Sequence, residues 1–150
     1  MQPTQIEGFQ LSLEQRSLWT GSPENKLCCT AVVIDGALDS NRFQSALRQV
    51  EERHEILRTT FHRQRPIRFP LQLIAESRAP YTEIDLSAEQ TPETRVEQLF
   101  EEERSRPFDY EHDRPLRFTL LRLSSAKHVL LITASTLCVD SHTIGNFIIE

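Results

Sequence analysis

The sequence contains no run of 18 consecutive apolar residues, so it offers no candidate membrane-spanning helix. Its first residues, Gln2-Pro3-Thr4-Gln5, are polar, and no apolar signal-peptide core follows them. Cysteine is scarce. Cys28, Cys29 and Cys138 are too few and too irregularly spaced for a disulfide framework or a metal-ligand set. That usage predicts a reducing, cytoplasmic setting with no bound metal. Positive charge is outweighed: the formal net charge is -5, and acidic blocks such as Glu101-Glu102-Glu103 interrupt the surface. A nucleic-acid partner needs clustered Lys and Arg, so this balance argues against one. Internal repeats and low-complexity tracts are absent. What remains is 150 residues with 38% hydrophobic and 26% charged content, which is one globular domain or one lobe of a larger one.

The organising stretch is Arg53-His54-Glu55-Ile56-Leu57-Arg58-Thr59-Thr60-Phe61. Before it, Phe43, Leu47, Val50 and His54 recur at three- and four-residue steps, the stripe of an amphipathic helix capped at Asp39 or Ser40. After it, Leu57, Thr59 and Phe61 alternate with Arg58, Thr60 and His62, which predicts a half-buried strand over 57–62. Arg58 then falls on the strand face opposite Leu57. If that face is covered too, its guanidinium needs a partner, because a buried unpaired charge is costly.

Elsewhere, Ser12 followed by Gln15 is a capping-box pattern opening a short helix with Leu13, Leu18 and Trp19, which Gly21-Ser22-Pro23-Glu24-Asn25 breaks. Leu27 to Ile34 is nearly all apolar and predicts a strand covered on both faces. Residues 71–76 alternate like a strand, and 78–86 read as irregular. Thr91-Pro92 starts a helix with Val96, Leu99 and Phe100 on its buried stripe. Two strands follow, one alternating from Leu116 and one apolar from Val129 to Ala134. A last helix carries Ile144, Phe147 and Ile148. The sequence stops within that helix without a C-cap, which suggests a piece of a longer protein.

The candidate site is Ser135-Thr136-Leu137-Cys138-Val139-Asp140-Ser141-His142, between a central strand and a helix, where α/β folds place chemistry. Asp140 is the expected bidentate partner of Arg58. The alternative is that Asp140 only caps the last helix.

These residues carry a resemblance. Ser12-Leu13-Glu14-Gln15-Arg16-Ser17-Leu18-Trp19 is similar to the first core motif of nonribosomal peptide synthetase condensation domains, in the chloramphenicol-acetyltransferase-like superfamily. Residues 53–61 match the second motif, Arg-His-Glu-x-Leu-Arg-Thr-x-Phe, at every specified position. Pro107-Phe108-Asp109 and Pro115-Leu116 resemble the approach to the third. The resemblance implies an α/β fold with a mixed β-sheet flanked by helices, residues 1–150 forming the N-terminal lobe of a two-lobed domain whose C-terminal lobe is absent here. It also implies an apolar face that the missing lobe or another synthetase domain covers. Substrates are expected as thioesters on the phosphopantetheine of peptidyl or acyl carrier domains, with no cofactor bound by the chain itself. His54 is expected to make a structural hydrogen bond between helix and strand.

The third motif departs from the family's His-His-x-x-x-Asp-Gly. Ser135 and Thr136 stand at the two histidines, and only Asp140 is kept. Thr136 can hydrogen-bond but does not titrate near neutral pH. The site therefore reads as degenerate, and a structural, carrier-binding or partner-binding role is expected. The alternative is an active acyltransferase that works by positioning the reactants, with Thr136 and the helix N-terminus orienting the thioester carbonyl. Asp-x-x-x-x-Asp-x-x-Ser, the heterocyclisation pattern, fits poorly because Ser135 replaces its first Asp. Ser135 and Cys138 as nucleophiles lack an adjacent base. His142, two positions beyond Asp140, could substitute as a catalytic group but is expected at a helix start, on the surface or packed against Trp19, and His62, His112 and His128 at the surface or at strand edges. Glu97, Glu101 and Glu102 form a solvated helix face; carrier domains are usually acidic, so this face would repel one.

Overall fold

A computed structural model describes residues 8–21, 27–76 and 78–150. Two sheets are present among these residues: a three-stranded antiparallel sheet ordered β1-β4-β3 and a four-stranded mixed sheet ordered β2-β7-β6-β5. In chain order the elements are β1 (Phe9–Gln10), α1 (Leu13–Thr20), β2 (Leu27–Asp35), α2 (Ser40–Arg53), β3 (Thr59–His62), β4 (Leu71–Ile74), β5 (Tyr81–Asp85), α3 (Pro92–Ser105), β6 (Leu116–Ser124), β7 (Lys127–Ser135) and α4 (Ser141–Ile149).

The larger sheet is buried on both faces at its centre. Successive side chains of a strand point to opposite faces, so β7 divides its apolar run between two cores. Leu130, Ile132 and Ala134 pack with Leu116, Phe118 and Leu120 of β6 under Leu47 of α2 and Ile144 of α4. Val129 and Leu131 pack with Leu121 under Leu99 of α3. Helices thus cover both faces, and residues 116–121 of β6 are all buried, where simple alternation predicted one wet face. β2 lies at the sheet edge beside β7. It is only partly covered, with Val33 59% exposed. The expected double burial of that strand is therefore not found. An apolar cleft of about 300 Å³ opens between β2, α2 and α4, with Val32, Phe43 and Phe147 in its walls.

Strand β5 runs parallel to β6 and reaches it through α3, a β-α-β crossover. It occupies the segment expected to be irregular. With Ile84 its only aliphatic residue and Thr82 and Glu83 exposed, it has no apolar period to announce it. The break expected over 21–25 lies outside the described residues except for Gly21. Gly36 closes the turn after β2 at φ +116°, a conformation that favours glycine.

The helix starts follow their sequence signals. Ser12 Oγ accepts from Gln15 N and Gln15 Oε1 accepts from Ser12 N, completing the capping box. Asp39 accepts from the amides of Asn41 and Arg42 at the start of α2. Residues 55–58 form a 3-10 turn rather than the first residues of a strand, so β3 begins at Thr59. No helix among the described residues is long and apolar enough to cross a membrane.

Candidate functional site

Strand β7 delivers its last residue, Ser135, to the bottom of the site loop. Ser135 is fully buried. Its amide donates to Pro115 O at 2.7 Å, and its carbonyl accepts from the amides of Cys138 and Val139, both at 3.0 Å. Its hydroxyl accepts from Leu137 N at 3.2 Å and is hydrogen-bonded to Tyr110. Burial pushes the Tyr110 phenol above its ordinary value, and the Ser135 contact only partly offsets this. Ser135 therefore folds the loop back on itself. Its hydroxyl does not reach solvent.

The loop is propped from outside by α1. Gln15 Nε2 donates to Leu137 O at 2.9 Å, and Gln15 exchanges amide hydrogen bonds with Gln72 of β4 at 3.0 and 3.1 Å. One side chain thus caps a helix, holds a neighbouring strand and supports the loop. Leu137 is buried with Leu11 and Phe61. Beside them Trp19, Phe61 and Tyr110 form a ring cluster with centroids 5.5 to 6.1 Å apart, the tilted and edge-on spacing that aromatic quadrupoles favour.

Thr136 opens the turn and is half-buried. Cys138 packs against two cores, and burial pushes its thiol up to about 12. It stays protonated near neutral pH and is no ready nucleophile. Asp140 is exposed and turned back on α4. Its Oδ1 accepts from Thr143 N and Thr143 Oγ1, both at 2.7 Å. These two bonds, with a small contribution from His142, hold its carboxyl below the usual carboxylate range. His142 is exposed at the helix start, as expected.

The expected Arg58–Asp140 pair is not formed. Arg58 sits at the end of the 3-10 turn, not on a strand face, and its fork points toward β4. Nη1 donates to Ala75 O at 3.2 Å and Nη2 to Glu52 O at 3.5 Å, while Nε is buried without a partner. Ala75 N returns a bond to Arg58 O at 2.9 Å. Arg58 thus stitches the turn to the end of β4 through carbonyls, and Asp140 is the N-cap of α4. His54 also differs from expectation. Its Nε2 lies 3.1 Å from Glu150 Oε2, so it links α2 to the end of α4 rather than helix to strand. His128, expected at a strand edge, is 4% exposed within β7, its Nδ1 without a hydrogen-bond partner.

The buried guanidinium of this fold is Arg117, on β6. Its side chain is 7% exposed. Nε donates to Glu103 Oε2 at 3.1 Å and Nη2 to Arg106 O at 2.7 Å, and the fork lies 4.1 Å over the Phe108 ring. It ties the end of α3 to the segment Arg106–Phe108. Sequence reasoning missed it. The available signal was an Arg inside an otherwise apolar strand, flanked by Leu116 and Phe118. No group of three or more His, Cys, Asp or Glu among the described residues is arranged to hold a metal ion.

The condensation-domain family model matches residues 10–148. The chain belongs to the condensation-domain family. Chondramide synthase cmdD of Chondromyces crocatus is 33% identical over 120 residues, which are 78% of this chain and 3% of that protein. Tyrocidine synthase 3 of Brevibacillus parabrevis is 37% identical over 102 residues, 68% of this chain and 2% of that protein. Among solved structures, the starter condensation domain of rhizomide synthetase RzmA superposes with a TM-score of 0.86 at 18% identity, over 95% of this chain and 36% of that one. The tallysomycin biosynthesis protein TlmII gives 0.83 at 23%, over 94% and 36%. At such identities the structures show the fold, which is the expected arrangement of mixed sheets flanked by helices. The condensation-domain chain described here spans about a third of the length of those solved relatives.

Proposed function

We propose that this chain is the N-terminal lobe of a nonribosomal peptide synthetase condensation-type domain whose site loop lacks both histidines of the family's third motif, and that it serves peptide natural-product assembly by binding. Its ligands are carrier domains bearing acyl or aminoacyl thioesters on phosphopantetheine, together with the C-terminal lobe or another synthetase domain that covers its apolar face. One observation carries the reading. Along residues 135–140 the side chains with hydrogen-bonding or ionisable groups are Ser135, buried in the scaffold; Thr136, which does not titrate near neutral pH; Cys138, kept protonated by burial; and Asp140, turned onto Thr143. None is a base poised near neutral pH at the position where the family keeps its second histidine. A positioned proton-transfer group contributes roughly 10²–10⁴-fold, so a loop without one loses about that much turnover.

The test is amide formation by the intact protein supplied with donor and acceptor carrier thioesters, for the native sequence and for Thr136→His. The reading predicts no product above the uncatalysed rate for the native protein and a gain with histidine. Native turnover that Thr136→Ala reduces would instead support the positioning mechanism, in which Thr136 and the α4 N-terminus orient the thioester carbonyl.

A further inference from the structure

At the end of the larger sheet remote from the site loop, a polar cavity of about 330 Å³ opens between α2 and strands β5, β6 and β7. Ser40, Glu83, Asp85, Leu120, Arg122 and His128 stand in its walls. Strand register places the sheet residues in two rows on one face. Asp85 stands opposite Arg122 and Arg122 opposite His128, while Glu83 stands opposite Leu120 in the neighbouring row. His128 and Ser135 are seven residues apart on β7, roughly 23 Å at about 3.3 Å per residue, so this cavity is separate from the loop. His128 is 4% exposed, and its Nδ1 is buried without a hydrogen-bond partner. An aliphatic side chain would fill this wall without that desolvation cost, which native proteins seldom leave uncompensated. The charged groups are only partly spent. Asp85 accepts from Arg122 Nη2 and from the amide and hydroxyl of Ser87. Glu83 accepts from Tyr81 OH through Oε1 at 2.7 Å, which leaves its Oε2 open among the described residues. Arg122 gives Nη2 to Asp85, and the other N–H groups of its fork are unspent among the described residues. Ser40 opens α2, whose N-terminus adds partial positive charge, offset by the Asp39 cap.

Two carboxylates against one guanidinium disfavour a simple anion here, and Arg122 disfavours a simple cation beside it. A small ligand that carries both charges answers both groups. We propose that this cavity binds a free α-amino acid. The ammonium group pairs with Glu83, the carboxylate takes the unspent N–H groups of Arg122 and the hydroxyl of Ser40, and the side chain lies over Leu120 against the His128 ring. Charge-assisted hydrogen bonds at the two ends supply affinity and fix the orientation. Glu83 and Arg122 are exposed before binding, so the ligand enters without opening the core. The inference stands independently of the carrier-binding reading above.

The experiment follows hydrogen–deuterium exchange of the intact protein by mass spectrometry while glycine, L-alanine or L-leucine is titrated in. Peptides covering 38–44 and 81–86 report this cavity alone, whatever else in the protein binds amino acids. Propylamine and propionate, each carrying one of the two charges, are the comparison ligands. At least one amino acid is expected to protect both peptides saturably, with a midpoint below about 1 mM, and propylamine and propionate should need about tenfold more or fail. Glu83→Gln and Arg122→Gln should each move the midpoint up by about tenfold or more, the usual loss for a hydrogen bond to a charged group, while Glu101→Gln on α3 should leave it within about twofold. Both substituted cavity side chains are exposed, and unchanged circular dichroism confirms folding. The comparison of ligands on the native protein stands even where a variant fails to fold. No protection by any of the three amino acids overturns the proposal. Equal protection by propylamine or by propionate, or an unchanged midpoint in both cavity variants, overturns it as well.

Discussion

Removing a guanidinium from water costs several kcal/mol, and an ion pair repays this only with good geometry and satisfied donors. Arg117 meets that condition through Glu103, the backbone carbonyls of Arg106 and Pro107 just past α3, and a stacked ring. Arg117→Ala leaves the poorly solvated Glu103 carboxylate with only the exposed Arg106 guanidinium at 4.0 Å and is expected to destabilise the fold by about 2–4 kcal/mol in urea unfolding. Arg58→Ala breaks only bonds to carbonyls from a half-buried position and is expected to cost about 1–2 kcal/mol. Combining it with Asp140→Ala should be additive, since the two side chains share no contact; a clear coupling would restore the pair that the geometry lacks. Glu51 behaves differently. It is buried on α2, its carboxylate accepting from Ala79 N at 2.6 Å. Burial raises its pKa more than that bond lowers it. A carboxyl with a raised folded-state pKa favours the folded state below its ordinary value and loses that contribution as pH rises through the raised one. Glu51→Gln keeps an acceptor for Ala79 N and removes the titration, so the fall in melting temperature between about pH 4 and pH 7 should be shallower in this variant.

At the scale of elements, the capping box of α1 can be separated from its support of the loop. Gln15→Glu retains an acceptor for Ser12 N but no amide donor for Leu137 O. The α1 amides should keep their hydrogen-exchange protection, while those at 137–139 exchange faster in the variant; equal protection in both would show that the Gln15–Leu137 bond does not hold the loop. Elements with a strong signal of their own were legible in the sequence. The capping box, the Asp39 cap, the Thr91-Pro92 start and the apolar run of β7 all formed where their residues put them. Elements decided by neighbours were not. The edge position of β2, the parallel pairing of β5 and the double burial of β6 depend on what packs beside them, which no local period encodes. The 3-10 turn at 55–58 moved the strand start by two residues and took Arg58 off the expected strand face, while Asp140 is engaged by Thr143 at the start of α4. The loop at 135–140 does lie between β7 and α4, but its contacts come from α1, β3 and the loop before β6, distant segments that the sequence order does not connect.

At the scale of the whole molecule, the chain combines a rigid core with two unequal surfaces. The larger sheet buries both faces of its central strands, so the loop after β7 is held on an ordered base, as a binding site requires. The surface includes an acidic α3 face and, between β3 and β4, a stretch that holds Arg63, Arg65 and Arg68 without an acidic residue. The second motif at 53–61 retains its full sequence, yet here it works as scaffolding: Arg58 stitches a turn, His54 reaches α4, and Thr59, Thr60 and Phe61 are buried. This intact scaffolding stands beside a loop that has Ser135 and Thr136 where the family's third motif has its two histidines. The most direct test is a single-turnover mixture of the intact protein with its donor and acceptor carriers loaded as thioesters, the carrier-bound species followed by intact-protein mass spectrometry. The account predicts that both thioesters remain on their carriers, apart from spontaneous hydrolysis, while the carriers stay associated with the protein. Transfer of the donor acyl group onto the acceptor amine at a rate that depends on the native protein would contradict it.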